Sequence, residues 1–237
     1  MEALLKRTEV IQRIIDKKKA RTYLEIGVSK GGNFFRIKAR RKTAVDPHFK
    51  FSRKQRIEWI IKNFHNLTAK YYRSTSDGFF SSVRSSVLFD VIFIDGLHTH
   101  RQSLKDVMNS LGKLNKNGII VIHDCNPVNE AAAYPAESYE TAVAMRLPGW
   151  AGYWSGDVWK TICSLRSQKK DLRVFVLDCD CGLGIVMKAE PDSYLNLSEE
   201  ELDKMTYEDL SGERKSLLNL KDESYLFEFL NTIVVDG

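Results

Sequence analysis

Apolar positions along this chain switch between a helical and an extended period. Leu4, Leu5, Ile11, Ile14 and Ile15 recur at helical spacing and predict an amphipathic opening helix. Thr22–Gly27 predicts a first strand that breaks into a glycine-rich turn, and Asn33-Phe34-Phe35-Arg36-Ile37 reads as the start of the next helix. Thr43–Asp46 predicts a second strand. A helix follows around Arg53–Phe64, with Ile57, Ile60, Ile61 and Phe64 on one face, and Thr68–Arg73 predicts a third strand. Phe89–Ile94 and Ile119–Ile122 are near-continuous apolar runs, as expected of strands buried on both faces. Between them Ser103–Leu114 places Leu104, Val107, Met108 and Leu111 at helical spacing.

The second half is less regular. Asn126–Gly156 mixes Pro127, Pro135 and Pro148 with Tyr134, Tyr139, Trp150, Tyr153 and Trp154, and predicts a lid-like insertion. Asp157–Leu165 returns to helix, with Asp157 as its cap. Val174–Leu177 and Gly184–Met187 flank a turn and predict a closing hairpin, and Leu202–Leu220 and Tyr225–Leu230 read as a helical appendage. Strands alternating with helices predict an α/β, doubly wound, mostly parallel sheet of seven strands, antiparallel only at the hairpin. Residues 1–190 form the expected main domain, with the insertion at about 126–156. Residues 191–237 form the helical extension packed on it.

Composition narrows the classes. With 237 residues and 43% hydrophobic content the chain can bury one substantial core. A net charge of +5 on 28% charged residues is mild, and the basic runs at 17–19, 38–42 and 169–170 lie at predicted element ends. Such runs are ordinarily solvated faces, so a nucleic-acid partner is disfavoured. No apolar run approaches membrane-spanning length and no leader pattern opens the chain, so a cytoplasmic protein without a membrane partner is expected. The four cysteines then read as reduced thiols. Cys179-x-Cys181 has no second pair at zinc-finger spacing, which argues against a structural zinc site of that kind.

The chemistry gathers at strand ends. The turn after the first strand reads Glu-x-Gly-x-x-x-Gly-Gly, over Glu25, Gly27, Gly31 and Gly32 with Ser29 inside it, and not the Gly-x-Gly-x-x-Gly of dinucleotide sites. Asp46 ends the second strand, where acidic residues of nucleotide folds accept ribose hydroxyls. Asp95-Gly96-Leu97-His98 ends the fourth strand and His123-Asp124-Cys125-Asn126 the fifth. A histidine there has the ordinary pKa for a general base. His123, ending an apolar run, reads equally as a buried hydrogen-bonded residue, and His100 as a helix-start residue.

These four segments, in order over about residues 20–125, resemble class I S-adenosylmethionine-dependent methyltransferases, and among them the small-molecule and sugar O-methyltransferases whose fourth strand ends Asp-Gly-x-His. The resemblance implies a Rossmann-like class I fold and S-adenosylmethionine as cofactor. Glu25 would orient the glycine turn and the cofactor's amino-acid end, Ser76 and Asp77 would read the adenine, and Asp95 and Gly96 would complete the cofactor set. It implies His98 as base, with Asp124 and His123 as the other catalytic candidates. Metal-dependent members of the catechol type further imply a divalent cation, magnesium or another, on Asp95 and Asp124. Cys125 departs from that pattern, standing where the family has Asn, and Asn126 follows one residue late. The expected function is O-methylation of a small-molecule, glycan or nucleotide-sugar hydroxyl. The alternatives are a nucleic-acid methyltransferase or a non-catalytic Rossmann-like binding protein. Oligomeric state stays open, a homodimer included.

Overall fold

The structure is a computed structural model that describes residues 5–234; Leu4, expected on the opening helix, lies outside them. The elements in order are α1 (Arg7–Lys18), β1 (Thr22–Ile26), β2 (Arg41–Val45), α2 (Arg53–Lys62), β3 (Lys70–Tyr72), α3 (Ser76–Ser82), β4 (Phe89–Ile94), α4 (His100–Leu111), β5 (Leu114–Ile122), α5 (Glu130–Ala133), α6 (Tyr139–Ala144), α7 (Trp159–Gln168), β6 (Leu172–Leu177), β7 (Leu183–Lys188), α8 (Glu199–Lys204), α9 (Tyr207–Leu218), β8 (Leu220–Lys221) and α10 (Tyr225–Thr232). Strand order in the sheet is β3-β2-β1-β4-β5-β7-β6-β8. β1 pairs parallel with β2 and β4, and β2 with β3, so strand order turns back at β1, the doubly wound pattern the alternation predicts. β6 and β7 close as an antiparallel hairpin in register Leu172↔Lys188 to Leu177↔Leu183.

The chain divides into two compact units. Among the described residues, one comprises Leu5–Gly96, Asp106–Val121 and Leu226–Val234; the other comprises Leu97–Lys105 and Ile122–Tyr225. In the first, β1 is buried at all five positions and α1 buries Val10, Ile11, Ile14 and Ile15, the stripe its spacing predicts. In the second, α7 buries eight consecutive residues from Trp159 to Arg166 beside the inward face of β6. Among the described residues no helix is long and apolar enough to cross a membrane. All four cysteines are free thiols.

Five local expectations are corrected. Residues 33–37 form a turn and no helix, because Phe35 and Ile37 each close a single backbone bond, to Gly31 and Asn33, before the chain runs extended toward β2. The apolar face expected on α2 is solvent-facing: Ile57 is 60% exposed, Ile61 69% and Phe64 75%. The other stripe faces inward instead, since Trp59 stacks on Phe35 at 5.7 Å and Arg56 lies over Tyr71 at 4.0 Å. The Trp59–Phe35 stack and a cation–π contact outweigh Ile57, Ile61 and Phe64 there. β5 begins at Leu114, so the expected turn at Lys116–Gly118 lies within a strand that accommodates a left-handed Asn117. Residues 220–221, expected as the end of a helix, form β8, parallel to β6, so the sheet has eight strands and not seven. Asn219 in the left-handed conformation ends α9 and turns the chain into that pairing. Asp157 caps no part of α7; its carboxylate accepts from the His100 backbone N–H at 2.5 Å and so caps α4.

Candidate functional site

The glycine turn is built on buried carboxylates. Gly27 has φ of +81°, and a Cβ there would lie 1.8 Å from the Asp95 carbonyl oxygen, so only glycine lets the turn pass so close to the end of β4. Ser29 and Gly31 are also left-handed. Asp46, at the carboxyl end of β2, holds this turn from below. Its Oδ2 accepts from the backbone N–H groups of Val28 at 2.9 Å and Ser29 at 2.7 Å, and its Oδ1 accepts from His48 N–H at 2.6 Å. A carboxylate offers about four acceptor positions. Asp46 therefore keeps about one for a ligand hydroxyl where two contacts were expected.

Glu25 lies inside β1 and is 1% exposed. Its Oε2 accepts from Tyr23 O–H at 2.5 Å and from Asn33 Nδ2 at 2.8 Å, and Asn33 Oδ1 accepts in turn from Thr8 Oγ1 at 2.8 Å. Burial pushes the Glu25 carboxyl up to about 7, against the pull of these two donors. Lys42 is buried beside them and donates to the Phe34 and Ile37 carbonyls at 2.6 and 2.9 Å and to Asn66 Oδ1 at 2.5 Å. Burial holds its ammonium down to about 7. Lys42 thus ties down the segment that leaves the turn. Asp95 forms an ion pair with Arg7 of α1 at 2.8 Å, and a Cβ at Gly96 would meet Asp106 and Ile26 only at ordinary contact distances. Ser76 and Asp77 open α3, whose cap is Thr75, accepting from Gly78 N–H at 3.2 Å. Gly32 accepts from Arg36 at 2.6 Å through its carbonyl. A separate cleft of about 610 Å³ opens at the amino ends of β1 to β4, lined among others by Thr22, Arg41, Lys70 and Phe89. The glycine turn is at their carboxyl ends, so this cleft is not its extension.

The second group gathers around one carboxylate. Asp124 follows β5 with φ of +62° and is buried. Its Oδ1 accepts from Ser155 Oγ at 2.7 Å, its Oδ2 lies 2.6 Å from His123 Nδ1, and His98 Nε2 stands 3.4 Å from the same oxygen. His98 Nδ1 is 2.7 Å from the Trp154 carbonyl, an acceptor only, so this nitrogen carries a proton, and Nε2 is turned toward Asp124. The Trp154 ring stacks on the imidazole at 5.4 Å and fixes its plane. Gly156, with φ of +60°, allows the approach: a Cβ there would lie 1.9 Å from the His98 carbonyl oxygen. His100 starts α4 as expected, half-buried against Ser164 Oγ at 2.8 Å, and its pKa is lowered by burial.

Sequence reasoning missed Arg7, Tyr23, Asn33 and Ser155, and read Trp154 only as an aromatic of the insertion. Tyr23 and Glu25 are two apart on a strand and share a face, a signal that was available. Nothing local marks Arg7 or Ser155, whose partners are 88 and 31 residues away.

The residues expected to hold a hard cation each have partners within the protein. Magnesium and calcium take oxygen ligands. Asp124 is faced by two imidazoles and a hydroxyl, Asp95 is committed to Arg7, and Cys125 is a fully buried thiol whose pKa burial raises. Asn126 does not replace it, because its amide donates to Asp178 Oδ1 at 2.8 Å and its oxygen accepts from Arg214.

A profile of methyltransferase domains matches residues 24–125. No curated protein sequence matches the chain. Among solved structures, the O-methyltransferase TomG from Streptomyces achromogenes, involved in tomaymycin synthesis and crystallised with SAM, is 10% identical. It superposes with a TM-score of 0.55, over 79% of this chain and 82% of its own. The SAH-bound methyltransferase PaMTH1 of Podospora anserina is 17% identical, with a TM-score of 0.55 over 78% of each chain. At such identity the likeness is one of fold, the Rossmann-like class I methyltransferase fold.

Proposed function

We propose that the chain, a class I methyltransferase by the domain it carries over residues 24–125, moves the methyl group of S-adenosylmethionine to a hydroxyl oxygen of a small-molecule acceptor. The arrangement of His98 carries the choice of oxygen. An oxygen nucleophile must lose a proton, and His98, its Nδ1 held by the Trp154 carbonyl, would take it at Nε2.

The cofactor suits the residues at the glycine turn. Asp46, Glu25 and Asp95 are carboxylates, while Lys42 and Arg7 are engaged with protein groups. The carboxylates offer acceptors to a sulfonium, an ammonium and ribose hydroxyls. Gly27, Ser29, Gly31 and Gly32 bring backbone to the cofactor, Asp46 accepts one ribose hydroxyl, Glu25 holds the turn, Ser76 and Asp77 meet the adenine, and Asp95 and Gly96 close the set. When bound, the sulfonium supplies a methyl carbon whose bond to sulfur breaks as its bond to the acceptor oxygen forms. The acceptor's proton moves to His98 Nε2. Asp124, 3.4 Å away, stabilises the imidazolium, and Ser155 and His123 keep Asp124 in place. No step is drawn through a hard cation.

The exposed Tyr139 beside Trp150, with Asn129 and Tyr134 in the same segment, suits stacking on a sugar ring with polar contacts at its rim, so we favour a saccharide or nucleotide-sugar acceptor. The test is transfer of labelled methyl from the cofactor to a panel of sugars, phenols and oligonucleotides. Hydroxyl-bearing small molecules should accept label and oligonucleotides should not. Labelling of oligonucleotides alone, or no thermal stabilisation by S-adenosylmethionine at saturating concentration, overturns the reading.

A further inference from the structure

Gly182, at the tip of the β6–β7 turn, has φ of +85°, and a Cβ there would lie 2.4 Å from the Asn126 backbone nitrogen. The tip is tied to the end of β5 by two backbone bonds, Cys125 N–H to the Gly182 carbonyl at 3.0 Å and Asn126 N–H to the Cys181 carbonyl at 2.9 Å. Asp124 and Cys181 are both left-handed, at +62° and +64°. The consequence is that one ligand atom each from His123, Asp124 and Cys181 lies within 4.8 Å of the others. Cys181 is the one cysteine of the four that is not buried.

We propose that His123, Asp124 and Cys181 form a binding site for a borderline-soft divalent cation of the zinc type. The donor set decides the metal. Imidazole, carboxylate and thiolate are the three ligand kinds zinc takes, and a thiolate disfavours magnesium or calcium. Zinc holds such atoms at about 2.0–2.3 Å, which places tetrahedral ligands about 3.3–3.7 Å apart. Closing from within 4.8 Å asks for a rotation of the half-buried Cys181 side chain and for the 2.6 Å hydrogen bond between His123 Nδ1 and Asp124 Oδ2 to open around the metal. Two anionic ligands balance the two charges of the cation, and the Cys181 thiol proton leaves to solvent on binding. Three protein ligands leave one position open, the arrangement of zinc sites that also hold a water or a substrate oxygen. The inference shares Asp124 and His123 with the methyl-transfer reading, but it concerns ligation and not the transfer step, so its test reads metal and cofactor binding separately.

The experiment strips the purified chain with chelator, restores one equivalent of zinc or cobalt(II), and removes unbound metal by desalting. The parent should retain about one zinc per chain, and its cobalt(II) form should show a near-ultraviolet thiolate-to-metal charge-transfer band. Cys181→Ser should lose the band and bind zinc at least about tenfold more weakly, while Cys179→Ser should keep both, each variant checked for native circular dichroism. If Cys181→Ser misfolds, zinc protection of the Cys181 thiol of the parent from alkylation, read by mass spectrometry, replaces it. No zinc retained by the parent overturns the proposal, as does an equal band in Cys181→Ser or alkylation unaffected by zinc. S-adenosylmethionine binding measured on the same samples keeps the two readings apart: cofactor binding without zinc retention sinks only this inference, and the reverse sinks only the methyl-transfer reading.

Discussion

Asp46 and Asp124 are both buried carboxylates at the carboxyl ends of strands, yet they are occupied differently. Asp46 spends its oxygens on three backbone N–H groups, which cannot titrate, and so fixes a turn. Asp124 spends its oxygens on a hydroxyl and two imidazoles, which can. A carboxylate held by backbone amides builds a rigid surface for a ligand, whereas one facing imidazoles can answer a proton as it moves. Sequence position alone marks both as strand-end acids; their partners separate binding from chemistry.

The largest expected effect falls on the second group. His98→Ala should lower kcat by about 10²–10⁴-fold, the ordinary contribution of a general base, with S-adenosylmethionine affinity by calorimetry nearly unchanged. A parental kcat with the true acceptor moves the base elsewhere, to His123 first. Equal losses in kcat and cofactor affinity would blur the contrast between the two carboxylates.

Next is the turn that Asp46 holds. Gly27→Ala forces a side chain at φ of +81° against the Asp95 carbonyl, 1.8 Å away before relaxation. Overlap with backbone has no flexible atom to yield, so a loss of about 3 kcal/mol or more in denaturant unfolding is expected, with cofactor binding lost alongside. A variant as stable as the parent means the turn moves freely and is no rigid surface. Asp46→Ala should weaken S-adenosylmethionine binding by about 1.5–3 kcal/mol, since it removes one charge-assisted ligand contact and three amide contacts that shape the turn. Unchanged affinity breaks the comparison on its binding side.

How much of this was legible follows the distance between partners. The glycine turn and Asp46 lie within twenty residues of each other, and the alternation of apolar runs with turn residues placed both at the carboxyl edge of a parallel sheet. Glu25 was legible as a turn-orienting acid, though its hydrogen-bonded partner Asn33 was read as helix. Around Asp124, the neighbouring His123 and the nearby His98 were legible, but Trp154 and Ser155 come from the irregular segment before α7, where no periodicity sets positions. α2 misled because two stripes competed and propensity does not weigh a Trp59–Phe35 stack against exposed isoleucines. β8 was missed because two residues after a helix carry no period, and its pairing with β6 is a tertiary fact.

The smallest effect concerns Glu25, the carboxylate of the glycine-turn region that accepts from side chains and not from backbone amides. Burial lifts its carboxyl from the ordinary value to about 7, so between about pH 4.5 and 7 the folded chain holds this proton more tightly than the unfolded chain does. The stability linked to the proton is therefore fully present below about pH 4.5 and is lost as pH rises through about 7. Glu25→Gln fixes the neutral form and keeps an acceptor for Tyr23 and Asn33, so it removes that dependence. Parent and variant compared by urea unfolding should thus converge at acid pH, and the variant should gain on the parent as pH rises through about 7, by at most about 3 kcal/mol, because ionised Glu25 is the stronger acceptor for Tyr23 and Asn33. Parallel profiles across the whole range would mean that Glu25 stays ionised in its hydrogen-bonded site, and the turn region would then differ from the Asp124 region without exception.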